Sequence, residues 1–294
     1  MKPSISAGVV FCATGKGYVD MAYSALKSFR AFHPDVSVAF VGASFSEDER
    51  HSLQQMRPID LIELKEPTYS FEDKIRALAL TPFEKTVFLD VDIVVIRPFF
   101  YDLIGLLDYS EVAALPNMGL NHGWESDVAS EALGQFNTGV IAYRAPRAEP
   151  FLNRWLEVWL GEGQQRGHDQ PAFRRALVES GVRILPITSS FNFMGSGTVS
   201  EARILHFTAG RRQQEFYKSH KLRNEIISRF KEPGYRGLFS DFAEVGSHNQ
   251  LRSGHTSRFL SWWVRGFSLW FFVRARRIMR GIGTRIQGSL LSLR

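Results

Sequence analysis

Two aspartates interrupt an apolar run in the stretch KTVFLDVDIVVIRPF, Lys85 to Phe99. Val87, Phe88 and Leu89 lead into Asp90, Val91 separates it from Asp92, and Ile93 to Ile96 continue the run. The flanks read as strands buried on both faces. A buried carboxylate with neither a cation nor hydrogen-bond donors beside it is strongly unfavourable, so a fold built around this stretch has to place positive charge next to the pair. A divalent metal bound by oxygen ligands meets that demand. The motif by itself also fits a pair of aspartates on a solvated loop, or an ordinary cap.

Around this stretch, strand-like and helix-like segments alternate, as in an α/β layer architecture. Gly8 to Ala13 reads as a buried strand, followed by Ala22, Ala25, Leu26, Phe29 and Phe32 at helical spacing, with Pro34 closing that helix. Val36 to Gly42 is a second strand. Ser46 and Glu49 have the spacing of a capping box, Asp60 to Leu64 reads as a third strand, and a helix starts at Phe71. The aspartate stretch is the fourth strand of the series. AALPN, the strand Phe136 to Arg144, a helix carrying Trp155 and Trp159, a helix after His168, and the short strands VRILPI and RILHFT follow. Ligands of such sheets gather beyond the carboxyl ends of the strands, and Asp90 lies where its strand runs out.

With 294 residues and 44% hydrophobic content, the chain can bury a full core, and its length suits one large domain plus an appendage. Cys12 is the single cysteine, so no intrachain disulfide forms, in keeping with a reducing compartment. The opening MKPSISAGVVFCATGKGY lacks the pattern of a secretory signal. From Lys231 to Ser257 the composition shifts to Gly, Ser, His and Asn. The expected division is a domain at 1–235, a linker at 236–257 and a tail at 258–294.

The formal charge of +6 is uneven, since nine arginines follow Glu244, the last acidic residue. Without those nine, 27 Lys and Arg face 30 Asp and Glu, a net charge of about −3 for residues 1–244. The body therefore offers no basic surface for nucleic acid. The segment Ser257 to Arg280 has no acid and is dense in Trp and Phe, and its longest uncharged stretch, Gly266 to Val273, is too short to span a bilayer. On a helix, Arg258 and Arg265 share one side while Leu260, Trp263, Val264, Phe267 and Phe271 share the other. That pattern suits the interface of an anionic membrane through residues 258–280; a helix packed on the chain's own core is the other reading. The expectation is a cytoplasmic, peripherally membrane-associated protein.

The motifs VVFCAT, LDVD, FNTGV, HDQ and ILHFTAG follow one another in order between about Gly8 and Arg212. Their order and spacing resemble the GT-A-fold nucleotide-diphospho-sugar glycosyltransferases, and in particular glycosyltransferase family 8, which includes glycogenin and bacterial lipopolysaccharide galactosyltransferases. The resemblance implies a mixed Rossmann-like α/β sheet flanked by helices. Asp90 and Asp92 match the family's metal-binding Asp-x-Asp, with Val91 counted among the donor-binding residues, and His206 matches the third ligand. On the residues alone, His206 also fits a core or strand-end histidine. Imidazole beside two carboxylates suits Mn2+ better than Mg2+, so manganese is the expected cofactor and magnesium the alternative.

By the same resemblance, Ala13, Thr14 and Gly17 surround the nucleobase and ribose, with Gly15 and Lys16 where the family often has an acid. Lys74 and Arg76 match basic residues that reach the diphosphate, a solvated helix face being the other reading. Asn137 matches an asparagine near the donor sugar. Thr138 and Gly139 let the chain pass beside the ligand, and the glycine fits a strand bulge equally. Asp169 and Gln170 match the pair on the face of the donor sugar and are the expected catalytic residues. Asp169 ahead of Gln170-Pro171 is also an ordinary N-cap. Phe191-Asn192 matches an aromatic-Asn pair of unassigned role. Beyond His206, Gly210 and Arg212 stand in for a displaced glycine and a lysine, and the family's Pro-Trp is missing.

The implied activity is metal-dependent transfer of a sugar, with retention, from a nucleotide-diphosphate sugar, UDP-sugar by resemblance, to a glycan or glycolipid acceptor. A catalytically degenerate domain acting as a membrane-bound scaffold is one alternative, suggested by the changed residues after His206. A sugar-phosphate nucleotidyltransferase is the other, although Ala13 to Tyr18 is shorter than the glycine-rich loop that chemistry needs.

Overall fold

The computed structural model describes residues 5–15, 17–117, 133–163, 167–194 and 201–207. The linker 236–257 and the basic, aromatic tail 258–294 lie outside the described residues.

β1 (Ile5–Ala13) is apolar throughout its centre because it is covered on both faces. Val9, Phe11 and Ala13 enter one half of the core and Val10 the other, which is the two-residue period of a strand. Parallel β2 (Val38–Gly42) and β4 (Phe83–Leu89) flank it, and β3 (Ile59–Glu63) extends the sheet beyond β2. α1 (Tyr18–Arg30) buries Ala22, Ala25, Leu26 and Phe29 along one stripe. Its entry residue, Gly17, has φ of 88°, a left-handed conformation that favours glycine. α2 (Glu47–Gln54) opens on the expected capping box: the Ser46 hydroxyl accepts the Glu49 N–H at 3.2 Å, and the Glu49 carboxylate accepts the Ser46 N–H at 2.8 Å. Such a cap stabilises a helix by about 1 kcal/mol.

α3 (Phe71–Ala79) leads into β4, and here the aspartate stretch departs from a single fourth strand. β4 stops at Leu89, the aspartates form a turn, and β5 (Ile93–Val95) leaves the main sheet. The reason is electrostatic, since a sheet interior gives a carboxylate no way to be solvated, whereas at the turn Asp90 and Asp92 are partly exposed while their apolar neighbours stay buried.

After α4 (Phe100–Leu106) come β6 (Val112–Asn117) and β7 (Gln135–Arg144). α5 (Ala145–Val158) continues into a π-helical turn, Trp159–Gly163, so Trp159 sits just past the α-helix that holds Trp155. α6 (Gln170–Ser180), β8 (Ile184–Pro186), a 3-10 turn at Ser189–Phe191 and β9 (Ile204–His206) follow. The sheet order is β3-β2-β1-β4-β7-β6-β8, with β7 antiparallel to both neighbours. β5 and β9 form a separate antiparallel ribbon in which Ile93 faces His206. One half of the core lies under α1 and α4. The other lies under α3, α5 and α6, where Trp155, Phe151 and Phe173 meet with ring centroids 4.9 to 5.9 Å apart.

Polar groups near the end of α1 hold the chain that follows the aspartate turn. Ser28 Oγ accepts the Val95 N–H at 2.9 Å, and His33 Nε2, beyond the helix, accepts the Phe99 N–H at 3.1 Å. Burial, helped by the nearby Arg30 charge, lowers the His33 pKa to about 4, so the ring is a neutral acceptor at neutral pH. The unfolded chain therefore takes up a proton here before the folded one does, and this part of the stability is lost as pH falls from about 6.5 towards 4. Urea unfolding of the wild type is expected to lose roughly 2 kcal/mol across that window from this group. In His33→Gln the loss should shrink, and parallel curves for the two proteins would remove His33 as the cause.

Candidate active site

The site forms at the carboxyl ends of β1 and β4, which are neighbours in the sheet, Phe11 pairing with Leu89. Asp90 follows β4 directly, and its N–H donates to the Gly139 carbonyl at 2.8 Å, so the bulged part of β7 fixes where the aspartate turn begins. At the end of the turn, the Phe207 N–H donates to the Asp92 carbonyl at 2.9 Å, tying it to the end of β9. His206 thus arrives opposite the turn through strand register.

The structure brings the three expected metal ligands together. His206 Nε2 lies 3.1 Å from Asp92 Oδ1 and 4.0 Å from Asp90 Oδ2, and one ligand atom from each residue lies within 4.8 Å of the other two. Burial pushes the Asp90 pKa up to about 6, with Asp92 and Asp169 adding to the rise and Lys74 and His206 opposing it. Burial by itself would lower His206, but the Asp92 and Asp90 carboxylates outweigh it and raise the pKa. Carboxylates crowded against a buried imidazole are the electrostatic setting that a divalent cation relieves.

The His206 ring packs closely against the backbone at Gly139. A Cβ on Gly139 would come within 2.1 Å of His206 Cε1 and within 2.8 Å of both ring nitrogens. Gly139 therefore makes room for the histidine, where the expectation was room for a ligand. The bulge reading holds as well: pairing with β6 jumps from Ile141 to Asn137, and Thr138 and Gly139 fall inside the irregularity.

Lys74 and Thr138 join the metal-ligand group to Asp169. Lys74 Nζ lies 3.1 Å from the Asp90 carboxylate, 3.1 Å from Thr138 Oγ1 and 3.2 Å from Asp169 Oδ2. Thr138 Oγ1 donates to Asp169 Oδ2 at 2.8 Å. Burial would lower the Lys74 pKa, yet the Asp169 and Asp90 charges overcome this and raise it. Asp169 occupies the N-cap position of α6 but makes no side-chain cap hydrogen bond. Its carboxylate turns to Lys74 and Thr138, while its carbonyl accepts Trp155 Nε1–H at 3.2 Å. Gln170 begins α6, its Oε1 accepting Asn117 Nδ2–H at 2.9 Å.

Other expected residues fall elsewhere. Arg76 does not join the cluster: its guanidinium donates to the Lys65 and Glu66 carbonyls at 2.6 and 2.9 Å and lies near Glu72 and Asp73. The Val91 side chain belongs to the core. Ala13 ends β1 beside Gly42, followed by Thr14 and, at the start of α1, Gly17. Asn137 is buried behind His206, its Oδ1 accepting the Gly139 N–H at 2.9 Å and Asn192 Nδ2–H at 2.8 Å. Gly210 and Arg212 lie outside the described residues. Asn117 was not singled out in the sequence; its one signal is its place at the end of the AALPN strand.

Neither a protein-family model nor a curated protein sequence matches the chain. Solved structures do match. The glycosyltransferase GlyE of Streptococcus pneumoniae TIGR4 aligns with a TM-score of 0.55 at 17% identity, over 76% of this chain and 63% of that one. The galactosyltransferase LgtC, solved with donor and acceptor sugar analogs, aligns with a TM-score of 0.54 at 18% identity, over 74% of this chain and 99% of that one. The bifunctional glycosyltransferase WbbM aligns with a TM-score of 0.52 at 13% identity, over 71% and 47%. The chain thus spans less than two thirds of the GlyE and WbbM chains and nearly all of LgtC. At these identities the likeness is one of architecture, and that architecture is the GT-A glycosyltransferase fold.

Proposed function

We propose that this chain is a metal-dependent glycosyltransferase that moves a sugar from a nucleotide-diphosphate sugar, with UDP-sugar as donor, to a glycan or glycolipid acceptor at a membrane surface. One observation carries the reading: Asp90, Asp92 and His206 converge on a GT-A sheet, with Asp169 linked to Asp90 through Lys74. Two carboxylates and an imidazole nitrogen fit Mn2+, and these three residues would hold it. When bound, such an ion supplies positive charge to the diphosphate as its bond to the anomeric carbon breaks.

The chain's own residues divide the remaining work. Asp169 presents negative charge to the sugar face, where positive charge develops at the anomeric carbon. Thr138 and Lys74 both hold its Oδ2, so the carboxylate is oriented before substrate arrives. Gln170, held by Asn117, is its partner. An active-site variant of LgtC exchanges a glutamine for glutamate, and Gln170 is the glutamine given that part in this proposal. A diphosphate leaving group needs no strong general acid; retention is what the family resemblance implies, and front-face transfer assisted by Asp169 and Gln170 is part of this proposal. Residues 258–280 supply the membrane contact in this reading; among the described residues, no helix is long and apolar enough to cross a bilayer.

Replacing Asp92 by Ala is expected to lower manganese-dependent release of nucleoside diphosphate by about a hundredfold or more, assayed over a panel of sugar nucleotides with and without Mn2+. Wild-type turnover in that variant, or no thermal shift and no turnover by the wild type with any donor, defeats the proposal.

Gly139→Ala should weaken Mn2+ binding by roughly ten- to a hundredfold in calorimetry by displacing His206. Gly134→Ala, whose methyl would meet nothing closer than 3.9 Å, should leave it unchanged; equal affinities in all three proteins would separate the glycine from the ion site.

Removing residues 258–294 should release the protein from anionic liposomes at low salt. Undiminished binding by the shortened chain would rule out the tail as the anchor.

A further inference from the structure

Behind His206 lies a buried chain of amides that the transfer reaction does not use. The Gly139 N–H can only donate, so the Asn137 atom facing it at 2.9 Å is the carbonyl Oδ1. The same oxygen faces Asn192 at 2.8 Å, which makes the Asn192 atom there the amino group. The other end of Asn192 is therefore its carbonyl oxygen, and it lies 2.8 Å from His206 Nδ1. An oxygen without hydrogens has to receive a proton from that nitrogen. Asn192 is 0% exposed and Asn137 3%, so water does not compete for these bonds. The orientation of each group follows from the one before it, starting from a backbone N–H that cannot be reversed.

We infer that Asn137 and Asn192 are positioning residues that keep the His206 ring proton on Nδ1 and leave Nε2 to face the aspartate pair as a cation ligand. The inference rests on the metal-site reading for its purpose, but the position of the proton is independent of whether an ion binds. Hydrogen bonds of this kind, on the far nitrogen of a ligating histidine, set tautomer and ring orientation, and losing them weakens metal affinity about ten- to a hundredfold.

The test is 15N NMR of the histidine-labelled full chain, with His206 identified by its absence in His206→Gln. Spectra are recorded without metal and with diamagnetic Cd2+, alongside Mn2+ affinities from calorimetry. The wild type should keep a slowly exchanging proton on Nδ1 in both states and bind Cd2+ through Nε2. Asn192→Leu and Asn137→Leu should lose slow exchange of that proton and bind Mn2+ at least about tenfold more weakly. Asn192→Asp still offers an oxygen to Nδ1 but gives no hydrogen to Asn137 Oδ1, so it should recover slow exchange of the Nδ1 proton only in part. An Nδ1 without a proton in the wild type, or an Asn192→Leu protein binding Mn2+ within about twofold of wild type, overturns the inference. If the leucine variants do not fold, the wild-type spectra decide alone. Failure of the wild type to bind either ion counts against the metal-site reading and leaves the Nδ1 result to stand or fall separately.

Discussion

The candidate site is organised around the backbone of one residue, Gly139. Its carbonyl accepts the Asp90 N–H, its N–H orients Asn137, and the space of its missing side chain is filled by the His206 ring. These three contacts set the start of the aspartate turn, the amide chain and the height of the imidazole above the sheet. Interiors are packed closely enough that a single extra methyl is felt, and here it would fall among the ring atoms of a candidate ligand. The bulge in β7 is what turns this stretch of strand out of regular pairing with β6 and allows it to serve all three neighbours at once.

Charge is arranged with similar economy. Lys74 stands between two carboxylates that have different tasks, Asp90 among the candidate metal ligands and Asp169 on the candidate sugar face. Taking these groups out of water costs several kcal/mol per ion, and that cost is met only when partners and hydrogen bonds are complete. Thr138 completes the set by donating to Asp169 while accepting from Lys74. Removing the lysine would leave uncompensated buried carboxylate charge, a class of change that costs about 3 to 5 kcal/mol. The expectation that Lys74 reaches a diphosphate thus meets a side chain already engaged within the protein.

Much of the fold was legible in the sequence, because the strands and helices of the first half are strongly patterned and the Ser46 capping box is a local device. The aspartates stood out since carboxylates in an apolar run demand an explanation. The break between β4 and β5 was less visible, because apolar residues continue on both sides and only the carboxylates mark the turn. His206 was different: ILHF reads as an ordinary short strand, and family likeness alone singled the histidine out. Arg76 shared a helix with Lys74, but periodicity could not tell that the Lys65 and Glu66 carbonyls would claim its guanidinium. The place of Asn192 was unreadable for a related reason. Its partners come from β7 and β9, and a hydrogen-bond chain across three remote segments leaves no local pattern.

The β5–β9 ribbon has a consequence for how the protein is made. Its two strands are short, lie apart from the main sheet, and are separated in the chain by α4, β6, β7, α5, α6 and β8. Long-range pairing of this sort is slow, since a large loop has to close before any contact rewards it. During synthesis, the parallel pairs among β1, β2, β3 and β4 can form while β9 is still inside the ribosome. A nascent chain would therefore carry its aspartates for some time before its histidine arrives, and the complete three-residue centre would be among the last features to mature.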